Sequence, residues 1–251
     1  MLNRYARAFF TNVFTPIARM LLRMGISPDV VTLVGTLGVC AGALIFFPMG
    51  ELFIGVMVIT AFVFSDTIDG IMARMRGGSS SWGAFLDSTL DRAGDGAVFA
   101  GLAIWYFQGG DDRLTAWLAL LCLVLGSLVS YARARAEGLG MRADVGIAER
   151  ADRLVSTLVT AGLVGLGLPQ VFLTVVLGLL AAASLVTVIQ RILLVRRQAL
   201  AAEGAPPPIT PVAAPAATST ARRPRPQRPR PGRDSARRGP RRRAASDAGR
   251  R

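Results

Sequence analysis

Apolar runs long enough to cross a bilayer recur along the first 200 residues, and this recurrence constrains the fold more than any other feature. They fall at about 30–47, 51–72, 84–107, 114–136, 151–168 and 171–195, close to the roughly 20 residues that a helix needs to span the hydrocarbon layer. Pro48–Met49–Gly50, Gln108–Gly109–Gly110 and Gly167–Leu168–Pro169 supply turns between them. The chain is 52% hydrophobic with a mean hydropathy of +0.45, more apolar than a soluble domain of this length. The expected fold is therefore all-α: an integral membrane bundle of six transmembrane helices.

Ahead of the first run, residues 2–24 read as an amphipathic helix. Leu2, Tyr5, Phe9, Val13, Ile17, Met20 and Met24 recur at helical spacing, with Arg4, Arg7, Arg19 and Arg23 between them. Such a segment suits the headgroup layer, where arginines reach lipid phosphates.

The net charge of +13 is unevenly placed. Residues 201–251 hold 13 arginines against 3 acids, whereas residues 1–200 hold 16 arginines against 13 acids. Two regions follow: a membrane-embedded domain over 1–200 and a Pro/Arg-rich tail over 201–251. The tail lacks apolar periodicity, so disorder and attraction to anionic lipids are expected. It has no aromatic residue to stack on bases, so no nucleic-acid partner is expected. Within the domain, arginines concentrate at the N-terminus, at 73–83 and at 133–153. The positive-inside rule then places both termini on the cytoplasmic side of the cell membrane.

Acids inside these runs are the chemical signal. Asp66 and Asp69 stand three residues apart near the end of the second run, and Asp87 and Asp91 stand four apart near the start of the third. On helices each pair shares one face. The short connection makes the two helices antiparallel neighbours, so four carboxylates converge near the cytoplasmic surface. Intramembrane charge is costly and usually functional. The chain has no histidine, so a metal here is held mainly by oxygen, which suits Mg2+ or Mn2+. Two ions match four carboxylates and clamp a diphosphate. Asp95 continues the series and reads as structural support. Cys40 and Cys122 read as buried thiols.

The stretch from Asp66 to Asp91 resembles the signature of the CDP-alcohol phosphatidyltransferase family: Asp, two residues, Asp-Gly, two residues, Ala-Arg, eight residues, Gly, three residues, Asp, three residues, Asp. Every fixed position matches, with Gly70, Ala73, Arg74 and Gly83 completing the set. The resemblance implies transfer of the phosphatidyl group of CDP-diacylglycerol to an alcohol, with release of CMP. It also implies that Asp66, Asp69 and Asp87 hold one metal and that Asp66, Asp87 and Asp91 serve a second. Asp91 doubles as the general base. Gly70 and Arg74 contact the cytidine diphosphate, joined by Asp29, Val30, Val31 and Thr32 at the entry to the first run and by Ser80. A homodimer is implied as well.

A second polar set lies at the cytoplasmic ends of the later runs: Ser130, Arg133, Arg135, Arg150, Arg153 and Arg191. Arginine binds phosphate through a bidentate fork, so these residues suit a phosphorylated polyol. The stretches Ser130–Glu137 and Gly146–Arg150 resemble the actinobacterial branch of the family, whose acceptor is inositol 1-phosphate. That resemblance places Ser130, Arg133, Arg153 and Arg191 around the phosphate, supported by Arg135. Glycerol 3-phosphate is the alternative acceptor. A divalent-cation transporter is a reading of another class, but it requires acids along a whole pathway and leaves the glycines and Arg74 without a role.

Overall fold

The computed structural model describes residues 2–78, 80–147 and 149–203, with side chains from Thr11 onward except Asn12 and Glu203. These residues fall in one compact unit, Met1–Ala205, and the second unit, Pro206–Arg251, lies outside them. The expected tail over 201–251 begins in helix, since 201–203 belong to the last helix, and the rest of that reading, 204–251, lies outside the described residues. Among the described residues every regular element is a helix: α1 (Leu2–Arg23), α2 (Pro28–Ala41, continued by a π turn at Gly42–Phe46), α3 (Leu52–Met75), α4 (Ser81–Gln108), α5 (Arg113–Gly138), α6 (Arg150–Gly165) and α7 (Val171–Glu203).

Helix α2 starts where local chemistry requires it. Ser27 has extended dihedrals and accepts the Val30 N–H at 3.3 Å, while Pro28 fills the first helical position. Helix α4 starts the same way, with Ser80 accepting the Gly83 N–H at 2.9 Å.

Helix α2 packs against both α3 and α4, whereas α3 and α4 do not pack closely on each other. This corrects the expectation that the two acid-bearing helices are direct neighbours. The close approach of α2 to α3 depends on Gly35: a Cβ there would lie 1.7 Å from Ser65 Oγ and 2.9 Å from Ser65 Cβ. Small residues at such crossings let backbones meet without a driving force from water. On the other side, a Cβ at Gly101 of α4 would lie 2.3 Å from the Ala43 carbonyl oxygen. The main core, including Phe47, Ile59, Val98, Leu102 and Tyr106, sits along the helices beyond these acids. A smaller cluster of Ala18, Ile71 and Met72 fixes α1 against the acid-bearing end of α3.

Four helices are long and apolar enough to cross a membrane: Pro28–Phe46, Leu52–Met75, Arg113–Gly138 and Val171–Ala202. In the apolar 18-residue stretch of each, only 22–39% is buried inside the bundle, and apolar side chains such as Leu37, Ile54, Leu121 and Leu179 are exposed, as lipid contact demands. Helix α4 has 28 residues but carries Asp87, Asp91, Arg92 and Asp95 within its first 15, and α6 has only 16 residues. In α1, Val13, Ile17 and Met20 are exposed, as is Met24 just beyond its end, while Phe14, Ala18, Leu21 and Leu22 face α3. Leu2, Tyr5 and Phe9 of the same stripe have side chains outside the described set.

Two polar ties join the later helices. At one end, Asp112 caps α5 by accepting the Thr115 N–H at 3.2 Å and the Thr115 hydroxyl at 2.5 Å, and Thr174 of α7 donates to the same carboxylate at 3.3 Å. At the other end, the segment between α5 and α6 is laced to α7. Thr187 accepts the Ile147 N–H at 3.2 Å, Arg191 Nε donates to the Val145 carbonyl at 2.9 Å, and Gln198 makes two bonds to the Arg142 backbone at 2.6 and 2.9 Å.

Candidate active site

Asp66 and Asp69 leave the last turns of α3, and Asp87, Asp91 and Asp95 descend one face of α4. Carboxylate oxygens of Asp66, Asp69 and Asp87 lie within 4.8 Å of one another. Three hard oxygen donors at that separation fit a divalent cation, which would offset charges that otherwise repel at close range. Asp69 is the buried member, 7% exposed. Thr32 on α2 donates to its Oδ2 at 2.5 Å, so the helix wedged between α3 and α4 also orients a carboxylate.

Asp91 is not one of that close group of three. Its Oδ1 pairs with Arg150 Nη2 on α6 at 3.0 Å. Arg150 Nε in turn reaches both oxygens of Asp95, at 3.1 and 3.3 Å, and Arg153 Nη2 lies 3.9 Å from Asp95 Oδ2.

Two hollows meet at the trio. The larger, about 1150 Å³, is open and is lined by Asp29, Thr32, Gly70, Ser80, Gly83 and Arg76 together with Asp66, Asp69 and Asp87. The smaller, about 500 Å³, is lined by Asp91, Asp95, Arg150 and Leu154 together with Thr32, Asp66 and Asp69. Thr32, Asp66 and Asp69 thus belong to both, Asp87 to the first and Asp91 to the second.

The structure gathers Asp29, Thr32, Gly70 and Ser80 around the larger hollow, while Val30, Val31 and Arg74 are not in its lining. Val31 packs against the α1–α3 cluster, and Val30 is exposed. Arg74 stays close by, since a Cβ on Gly70 would lie 3.8 Å from its Nη1. Arg76 lines the hollow and was missed from the sequence. Its placement two residues beyond Arg74, at the end of α3, was the available signal.

The second polar set divides. Ser130 and Arg153 line one small hollow with Arg92, Asp95 and Cys122. Arg153 is 2% exposed and lies against Gly126, where a Cβ would be 3.2 Å from its Nε. Arg133 pairs with Glu137 at 2.9 Å and Asp144 at 3.3 Å. Arg191 donates to the carbonyls of Val145 and Val129, the latter at 2.5 Å. Arg135 is exposed.

Comparison with known proteins fits this geometry. The family model for CDP-alcohol phosphatidyltransferase matches residues 25–149. A phosphatidylinositol phosphate synthase of Streptomyces avermitilis is 56% identical over 211 residues, covering 82% of this chain and 86% of the relative. A crystal structure of the Mycobacterium tuberculosis phosphatidylinositol phosphate synthase with CDP-DAG bound superposes with a TM-score of 0.71 at 48% identity, covering 73% of this chain and 94% of that one. The same mycobacterial enzyme in complex with manganese and citrate gives a TM-score of 0.70 over 73% of this chain and 88% of that one. With its carboxylate trio, its aspartate-rich motif and these relatives, the chain belongs to the CDP-alcohol phosphatidyltransferase family.

Proposed function

We propose that this protein is a metal-dependent membrane transferase that moves the phosphatidyl group of CDP-diacylglycerol to inositol 1-phosphate, giving phosphatidylinositol phosphate and CMP. One observation carries the reading: the carboxylate trio sits where two hollows meet, and Asp91 lines only the second. The donor belongs in the larger hollow and the acceptor enters from the smaller.

Asp66, Asp69 and Asp87 hold the metal, Mg2+ or Mn2+, and Asp91 contributes to a second ion. A divalent ion, when bound, supplies positive charge that offsets the diphosphate oxygens. Asp29, Thr32, Gly70 and Ser80 shape the cytidine side of the larger hollow, with Val30 and Val31 holding that segment and Arg74 and Arg76 at its rim. Gly70 leaves room for close approach of a ligand. Asp91 takes the proton of an acceptor hydroxyl. The hydroxyl oxygen bonds to the phosphorus that carries the diacylglycerol, and the bond from that phosphorus to CMP breaks. Ser130 and Arg153 anchor the acceptor phosphate, flanked by Arg133 and Arg191 and supported by Arg135.

The same reading sets the protein in the cell membrane with residues 1–200 as the enzyme. Helices α4 and α6 complete six crossings within the bundle, and α1 lies in the headgroup layer, where exposed Val13, Ile17 and Met20 enter lipid. Both termini and the site face the cytoplasm, the tail over 201–251 contacts anionic lipids, and the family likeness supports a homodimer.

The test is CMP release from purified full-length protein given CDP-diacylglycerol, Mg2+ and one acceptor. Inositol 1-phosphate is the acceptor expected to work. Release with glycerol 3-phosphate alone would overturn the acceptor, and no release with either would overturn the activity.

A further inference from the structure

Arg150 is the first residue of α6, yet it engages two acids of α4 at once. Its Nη2 takes Asp91 Oδ1 at 3.0 Å and its Nε takes Asp95 at 3.1 Å. Asp91 and Asp95 are one helical turn apart on the same face, and the planar guanidinium spans them as a fork spans two prongs. The pair is sheltered, with side-chain exposures of 23% for Asp91 and 16% for Asp95. The contact ties Asp91 to α6, and Asp91 lies outside the trio whose carboxylate oxygens come within 4.8 Å of one another. Arg150 also lines the smaller hollow beside Asp91.

We infer that Arg150 is a positioning residue: anchored by Asp95, it fixes one Asp91 oxygen and so aims the other at the acceptor hydroxyl. This inference rests on the reading of Asp91 as the base. It assigns Asp95 a role too, as the group that fixes Arg150. Asp95 also lies 3.9 Å from Arg153, so the device borders the hollow that Ser130 and Arg153 line. A lysine at position 150 keeps the charge but presents one nitrogen where arginine presents two along the same edge.

The experiment compares Arg150→Lys, Asp95→Asn and the double variant with wild type in the full-length protein. It measures kcat, KM for CDP-diacylglycerol, KM for inositol 1-phosphate, and Mn2+ affinity by electron paramagnetic resonance. The expected result is a fall in kcat on the order of 10- to 100-fold, the scale of a misaimed catalytic group, in both single variants. Both KM values and the Mn2+ affinity of the site formed by Asp66, Asp69 and Asp87 should stay within about twofold of wild type, because uniform binding is untouched. The double variant should be no slower than the slower single one, since both changes break one device.

Wild-type kcat in Arg150→Lys would mean that charge alone suffices and would overturn the inference. A change confined to acceptor KM would make Arg150 a ligand contact and overturn it equally. So would loss of Mn2+ affinity at the site formed by Asp66, Asp69 and Asp87 together with kcat, which marks collapse of that site. Failure of the activity itself is seen separately, as absence of CMP release by wild-type protein.

Discussion

Thr32 on α2 donates its hydroxyl to the Asp69 carboxylate on α3 at 2.5 Å. The bond links a residue that lines both hollows to the most buried acid of the trio. Replacing Thr32 by Val keeps the shape and removes the donor. Groups that orient metal ligands are worth about 10- to 100-fold in metal affinity or activity. Thr32→Val should weaken Mn2+ binding by about that factor, as read by titration in detergent, with the helical circular dichroism unchanged.

Stripping divalent ions should abolish turnover, because among the described residues no ion pair to an arginine neutralises Asp66, Asp69 or Asp87. Treatment with a chelator is expected to stop CMP release, and added Mg2+ or Mn2+ to restore it. Asp66→Asn should behave like the chelated enzyme even with metal in excess. Substantial activity in that variant would sink the assignment of Asp66 as a ligand.

Arg153 gives a different kinetic signature. It is buried beside Ser130, and a hydrogen bond to a charged partner is worth about 1.5–3 kcal/mol. Arg153→Lys should raise the acceptor KM about tenfold or more, with the KM for CDP-diacylglycerol little changed. Initial rates over a range of inositol 1-phosphate concentrations measure this directly.

Gly101 tests the helix packing that supports the site. A Cβ there meets backbone, 2.3 Å from the Ala43 oxygen, so no side-chain rotation relieves the clash. Gly101→Ala should cost about 1–3 kcal/mol, the usual penalty of overpacking, seen as a lower Tm in detergent.

At the opposite end, Asp112 offers a pH test. Burial pushes its carboxyl up, but hydrogen bonds from Thr115 and Thr174 outweigh that and hold it below the usual carboxylate range. A group depressed in this way contributes stability above its unfolded pKa, about 3.9. That contribution disappears as pH falls through the lower folded value. Asp112→Ala should cost about 1 kcal/mol at neutral pH by loss of the cap. The Tm gap between it and wild type should narrow as the pH is taken below about 4.

The chemistry was more legible in the sequence than the packing. The spacing of Asp66, Asp69, Asp87 and Asp91 marks shared helix faces, and the fixed glycines and Arg74 mark the family, because both are local properties of the chain. The wedge of α2 between α3 and α4 was not legible. A short connection suggests neighbours, and only the close contacts at Gly35 and Gly101 show what comes between them. The bridge from Arg150 to Asp91 was equally hidden, since nothing in the spacing pairs two distant residues. Arginines near a membrane surface also look alike in sequence. In the fold, Arg153 is buried at a hollow, Arg191 holds backbone carbonyls and Arg133 holds acids.

The lacing of the α5–α6 segment to α7 makes that last helix a ruler. Thr187, Arg191 and Gln198 act as marks along it, each matched to a backbone group of residues 142–147. Inserting one residue between Thr187 and Arg191 would turn every later mark by about 100° and shift it by about 1.5 Å. Its outward face there, with Val186, Ile189 and Ile192 exposed, tolerates exchange of one apolar residue for another. Its length does not tolerate change. Natural variation in this half of α7 should therefore run to substitution and avoid insertion or deletion, because the count of residues, more than their identity, keeps Arg150 opposite Asp91.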